Sequence, residues 1–262
     1  MSLSGKTLKD SYVDLLQLDN SNSGTPTSVK NIKDGAGTKT ALLVSDDNVR
    51  IIPNNDDTTS ALMVRNTLGA TVMQVDTTNE LVYGSGNIVN TQYATFSVGN
   101  TQSQYNSANN HHAIPFSSAT YGTSNYAPTF GTGTDPATTF TTADSNEERA
   151  SDLVPCLWYI TDAISIDSVT SIEGADASSG DTTRMHLFSY DFTSGATSCL
   201  TNGTLLAHNS DVTNAGSEQP YLTSWTVDSA AVTSGKVILA FFRSDSVNSD
   251  YSLNITVKYH LT

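Results

Sequence analysis

Tyr251-Ser252-Leu253-Asn254-Ile255-Thr256-Val257-Lys258-Tyr259-His260-Leu261-Thr262 alternates large apolar and polar side chains without a break. A period of two over this length is a β-strand with one buried and one wet face. Just upstream, Val237-Ile238-Leu239-Ala240-Phe241-Phe242 is apolar throughout, which suits a central strand covered on both sides. Working back from these two, further strands are expected at 153–160, 164–172, 185–192, 204–208 and 221–227. Turn-rich segments at 174–183 and 209–220 separate them. Shorter candidates lie at 93–98 and 113–116, and residues 121–144 are rich in Gly, Thr, Ser and Pro. Seven or eight strands joined by polar turns define an antiparallel sandwich, of jelly-roll type. The fold class is therefore all-β.

Composition points the same way. Ser, Thr and Asn make up roughly a third of the chain, well above ordinary usage. These residues favour turns and caps, and Thr with Val, Ile and Tyr favours strands. The 262 residues carry 26 acidic against 12 basic side chains, a net charge of −14. A nucleic-acid partner needs a basic patch and an anionic membrane surface needs the same, so neither is expected. No stretch approaches the 18 apolar residues of a membrane-spanning helix, and no secretory signal is visible at the start. The charge is unevenly placed. Up to Arg65 there are seven basic and eight acidic residues; from Asn66 onward there are five and 18. A near-neutral end and an acidic end suggest an attached part and a solvated part.

Residues 1–39 are read as an N-terminal anchor, helical or extended. Leu8, Tyr12, Leu15 and Leu16 fall at i, i+4, i+7 and i+8, with Thr7 and Asp10 placed as a capping box. Such a short helix is marginal alone in water, so it either docks on a partner or packs on its own domain. Residues 20–26 have the composition of a linker. Residues 40–90 form a stalk of short strands at 41–44, 49–52, 61–65, 71–75 and 81–83, with an internal echo between Ala41-Leu42-Leu43-Val44 and Ala61-Leu62-Met63-Val64. Each strand offers only two or three large apolar side chains, too few to offset the ordering of its backbone in a single chain. Wrapping identical strands from several chains about one axis solves this, with Leu62, Val64, Val72, Val75 and Leu81 as the trimer contacts. A small single-chain subdomain is the alternative. Residues 91–262 form the head, with its core strands in 150–262.

Chemistry is sparse. There is no GxSxG, P-loop, HExxH or dinucleotide-binding glycine pattern. Among the five histidines, His186 and His260 sit in strand patterns as packing or surface residues, and His208 ends one. His111 and His112 point to opposite faces if on a strand; one of them could meet its copies around a metal on a threefold axis. Asp46-Asp47, Asp56-Asp57 and 244–250 invite a Ca²⁺ reading, but none has EF-hand spacing and turn geometry explains them. Glu147 and Glu148 are adjacent, which gives no facing pair for glycoside hydrolysis. The sequons at Asn202 and Asn254 are set aside, the second because it lies in the terminal strand. Cys156 and Cys199 are expected to be free, buried thiols, since a disulfide framework would use more cysteines. Trp158 and Trp225 are placed in the core. The exposed contact surface is sought instead in the stretch from Tyr93 to Phe130, at Tyr93, Tyr105, Tyr121 and Tyr126. No cofactor or metal is expected, and no catalytic residue.

The order Leu8-Lys9-Asp10-Ser11-Tyr12-Val13-Asp14-Leu15-Leu16-Gln17, then residues 45–56, then Val64-Arg65-Asn66-Thr67-Leu68-Gly69 and Val75-Asp76-Thr77-Thr78-Asn79, resembles fibre-like and decoration proteins of tailed bacteriophage particles, marine phages in particular. Residues 87–94 resemble the junction from stalk to head. The resemblance implies a homotrimeric virion protein, assembled in the host cytoplasm, with an anchor on a capsid or tail protein, a β-structured stalk and a sandwich head. It brings no catalytic residue. A tail receptor-binding protein recognising host surface glycan is the alternative, and a glycan-cleaving enzyme the third reading.

Overall fold

The computed structural model describes residues 15–21, 23–99, 108–116, 130, 153–176, 179–196, 199–246 and 250–262. The chain divides into two compact units, Met1–Val89 and Asn90–Thr262. Among the described residues it is an all-β protein.

The N-terminal unit contains two four-stranded antiparallel meanders. The first runs β1 (Gln17–Leu18), β2 (Lys30–Lys33), β3 (Lys39–Val44) and β4 (Val49–Ile51). The second runs β5 (Leu62–Arg65), β6 (Thr71–Asp76), β7 (Leu81–Gly84) and β8 (Asn87–Ile88). Turn residues close the hairpins by accepting backbone hydrogen bonds, as their side chains are built to do. The Asp34 carboxylate accepts from the amides of Ala36 and Thr38 at 2.9 and 2.8 Å. Asn66 accepts from Leu68 and Ala70 at 3.0 and 2.9 Å, and Gly69 supplies the positive φ of 84° that the turn needs. In the Asp46-Asp47 turn the Ser45 hydroxyl accepts from the Asn48 amide at 3.0 Å. Leu15 and Leu16 stand irregular and exposed just before β1. Leu8 and Tyr12, with the rest of the expected helix, lie outside the described residues.

The C-terminal unit begins with β9 (Thr91–Val98) and β10 (His112–Ile114). After a 3-10 turn at Val154–Cys156 come β11 (Trp158–Tyr159), β12 (Ile164–Asp176), β13 (Thr182–Phe192), β14 (Leu200–His208) and β15 (Val212–Thr213). Then follow β16 (Gln219–Ser224), β17 (Thr226–Val227), β18 (Ala231–Val232), β19 (Lys236–Ser244) and β20 (Asp250–Leu261). One sheet has the order β16-β12-β20-β9, with β18 on β12; the other has β10-β19-β13-β14-β17, with β11 on β19 and β15 on β13. With β9, β10, β12, β13, β14, β16, β19 and β20 taken as first to eighth, the sheets read 1-8-3-6 and 2-7-4-5. That interleaving is the jelly roll. The strand expected at 153–160 is corrected in its first half: Pro155 has no N–H for a ladder, so the chain makes a 3-10 turn and only Trp158–Tyr159 pairs with β19.

Two apolar layers hold the head together. Between the sheets lie Phe96, Ile164, Ile166, Val169, Met185, Leu187, Ile238, Phe242, Ile255 and Val257, together with Trp158 and Trp225. The opposite face of the second sheet carries Phe188, Tyr190, Leu200, Val237, Leu239 and Phe241, packed with Phe130, Leu153, Cys156 and Cys199. β19 is thus buried on both sides, which is why its sequence is apolar without alternation. Both cysteines are buried thiols, not joined in a disulfide. A bulge between Ile166 and Ser168 shifts the phase of β12, so that Val169, Ser171 and Glu173 continue the inward face begun by Ile164 and Ile166.

Candidate functional site

In the second meander Leu62, Val75 and Val82 are register partners across three strands, and two residues along, Val64, Met73 and Gly84 form the next row. Partners in register share a face, as do rows two apart. Leu62, Val64, Met73, Val75 and Val82 therefore make one apolar ladder. The first meander repeats the pattern, with Leu42 opposite Ile51 and Val44 opposite Val49. The echo in sequence is thus an echo in structure: Leu42 and Val44 hold the places in β3 that Leu62 and Val64 hold in β5. None of these ladders closes a core. Among the described residues of this unit no apolar side chain is buried, and Val49, Ile51, Val64, Met73 and Val82 are exposed, Val49 by 70%.

The structure brings together three of the five residues expected at trimer contacts, Leu62, Val64 and Val75. It sets Val72 and Leu81 on the other face of the same meander, in phase with Gln74, Asp76 and Tyr83. Met73 and Val82 were not singled out from the sequence; alternation alone already places Met73 with Val75 and Val72 with Gln74, whereas in Leu81-Val82-Tyr83 the face is open until the pairing is known. The second face is polar around a shallow pocket lined by Gln74, Asp76, Tyr83, Ser85 and Gly86. Asp76 there accepts from the Asn79 side chain at 2.8 Å and its amide at 2.9 Å, which holds the carboxyl below its usual range.

Of the tyrosines expected at a contact surface, Tyr93 stands exposed on β9, at the end of the head where the chain enters. Tyr105, Tyr121 and Tyr126 lie outside the described residues, as do Glu147 and Glu148. The histidines are structural. His186 is fully buried, and burial, reinforced by the positive charge of Arg184, lowers it to about 3, so it is neutral. His111 packs its ring on His186 at 5.0 Å, and His112 is buried in β10. His260 contacts Asp167, and His208 contacts Asp228, each at 2.8 Å. No cluster of three or more metal-ligating side chains occurs among the described residues. No helix among them is long and apolar enough to cross a membrane.

Sequence reasoning passed over Glu173. It is 3% exposed between the sheets, accepts a hydrogen bond from the Thr183 hydroxyl at 2.9 Å, and burial pushes its carboxyl up to about 7 despite that bond. The signal was there in part: Glu173 is in phase with Val169 and Ser171, although the bulge hides that phase from any count begun at Ile164.

No protein-family model matches the chain, and no curated protein matches it. Among solved structures, one similar chain is an aminopeptidase from a marine sediment archaeon, Thaumarchaeota archaeon. The identity is 9% and the TM-score 0.33, over 72% of this chain and 40% of that one.

Proposed function

We propose that this chain is a non-enzymatic structural protein of a tailed-phage particle, a homotrimeric fibre, spike or decoration. In this reading residues 1–39 attach it to a capsid or tail protein through Leu8, Tyr12, Leu15 and Leu16. Residues 40–90 join the three copies, and the acidic jelly roll projects outward. The observation that carries it is the N-terminal unit's pair of apolar ladders with no core of their own. Burying an exposed Val or Leu side chain is worth about 1.5–3 kcal/mol, so several per chain, multiplied over three copies, can outweigh the cost of association. The near-neutral charge up to Arg65, against the strongly acidic remainder, suits attachment of that end to a partner.

Sedimentation of the purified chain tests the assembly: a trimer is expected, and a stable monomer at micromolar concentration would reject it. Within residues 1–39, removal of 1–16 takes out Leu8, Tyr12, Leu15 and Leu16 but leaves the first meander whole from β1, and so tests the anchor: the truncated protein should remain a soluble trimer yet be missing from particles. Recognition of a host surface glycan is the second reading, favoured by the exposed ring of Tyr93. Loss of adsorption by a phage lacking the protein, with particle assembly intact, would select it.

A further inference from the structure

At one end of the head, polar groups bond between the sheets inside the apolar layer. Val98 pairs with Leu253, and Thr183 with Ser244. The ends of β9, β12 and β19 and the starts of β13 and β20 therefore meet at the end of the sandwich opposite Thr91 and Leu261. Two hydrogen bonds cross between the sheets there. Thr183 of β13 donates to Oε2 of Glu173 on β12 at 2.9 Å, and the hydroxyls of Ser244 on β19 and Tyr251 on β20 are 2.8 Å apart. All four side chains are buried, and Oε1 of Glu173 has no hydrogen-bond partner among the described residues.

What faces this carboxyl decides its behaviour. From β13 and β19 come Thr183, Met185, Phe242 and Ser244, none of them charged. From β20 come Leu253 and the Tyr251 phenol. From β16 comes Tyr221, whose hydroxyl is already engaged with the Ala215 amide at 3.0 Å. The neutral acid can stay in such a place with one hydrogen bond. A carboxylate there, without a counter-ion and with one oxygen unsolvated, must draw in water or move.

We propose that Glu173 and Thr183 form a proton-operated latch on this end of the jelly roll. With the carboxyl neutral, the sheets close over it. When its proton is released to solvent, water enters and the end loosens, from the Glu173–Thr183 bond to the Ser244–Tyr251 pair. Burial sets the midpoint near 7, so the latch is shut in mild acid and released in mild base. The inference does not depend on the assembly proposed above; it concerns the head alone.

The test is a carboxyl-carbon NMR titration of the full chain between pH 5 and 9, joined to hydrogen exchange. One glutamate is expected to titrate near 7, and to vanish in Glu173→Gln. The amides of Thr182 and Asp245, which bond across this end (Thr182 to the Asp245 carboxylate, Asp245 to the Thr182 carbonyl), should lose protection by about tenfold from pH 6 to pH 8 after correction for intrinsic exchange. In Glu173→Gln that loss should disappear. Thr183→Val removes only the donor and should move the midpoint upward, which keeps the test decisive if the glutamine variant fails to fold. A glutamate set without a member titrating above pH 6, equal loss of protection in wild type and Glu173→Gln, or an unmoved midpoint in Thr183→Val would each overturn the latch.

Discussion

The two units are written in similar residues and solve opposite problems. The N-terminal meanders satisfy their backbone hydrogen bonds within the chain but leave their apolar ladders in water. The head does the same with its backbone and also buries its large side chains in two layers, one between the sheets and one behind β19. Sheet formation and core formation are thus separable. Short polar residues permit ladders and turns anywhere, whereas a core requires two faces that meet. One unit finds its second face within the chain; the other, among the described residues, does not.

The largest effect that could break this contrast is on assembly. Val75→Asp puts a charge in the middle of the ladder of the second meander. It should weaken self-association by on the order of 100-fold while leaving the head's melting temperature unchanged. A fall in that melting temperature, with the oligomer intact, would mean that the ladder serves the fold and not assembly. In the head, Phe241→Ala removes a fully buried ring from the layer behind β19 and should cost about 3–5 kcal/mol in denaturant unfolding. The same truncation at Val64, which is exposed, should change the stability of a dissociated chain by less than about 0.5 kcal/mol.

Acidity sharpens the contrast further: the buried carboxyl of the N-terminal unit, Asp76, is held below its usual range by Asn79, whereas that of the head, Glu173, is pushed up by burial. The folded value for Glu173, about 7, lies above the ordinary 4.5, so the folded state holds the proton more tightly than the unfolded one. Its contribution is fully present below about pH 4.5 and is lost as the pH rises through 7, a decline of about 3 kcal/mol. Between pH 5 and pH 8 buried His186, held at about 3, works the other way and adds stability as the pH rises. The unfolding midpoint should therefore rise clearly from pH 5 to pH 8 in Glu173→Gln, and the wild type should lack most of that rise. A further effect within the head concerns Gly203 in β14. A β-carbon there would sit 2.6 Å from the ring of the fully buried Tyr190. Gly203→Ala should therefore destabilise the head by about 1–3 kcal/mol, read by the same unfolding curve.

How far the sequence could be read depended on whether alternation survives in it. β20 and β19 were legible because one alternates strictly and the other not at all, and each pattern has a single structural meaning. The hairpins of the second meander were legible from Asn66 and Gly69. β2, Lys-Asn-Ile-Lys, was not, since it has one apolar side chain and a bulge between Asn31 and Lys33. The ladder was half legible. Leu62 and Val64 declare themselves by position and Met73 follows from Val75 by alternation, but choosing Val82 over Leu81 requires the register of β6 with β7. Glu173 was hidden for a related reason: one extra residue in β12 inverts the face on which every later side chain lies.

The pairing of β9 with β20 has a consequence for the order of events during synthesis. Thr91 lies opposite His260 and Val98 opposite Leu253, so the head's first strand finds its neighbour only when its last has left the ribosome. Until then the N-terminal meanders, whose partners are all within a few dozen residues, have been free to fold and to meet those of other nascent chains. In the trimer proposed above, chains translated side by side on one message would join at these meanders before any of them completes its jelly roll.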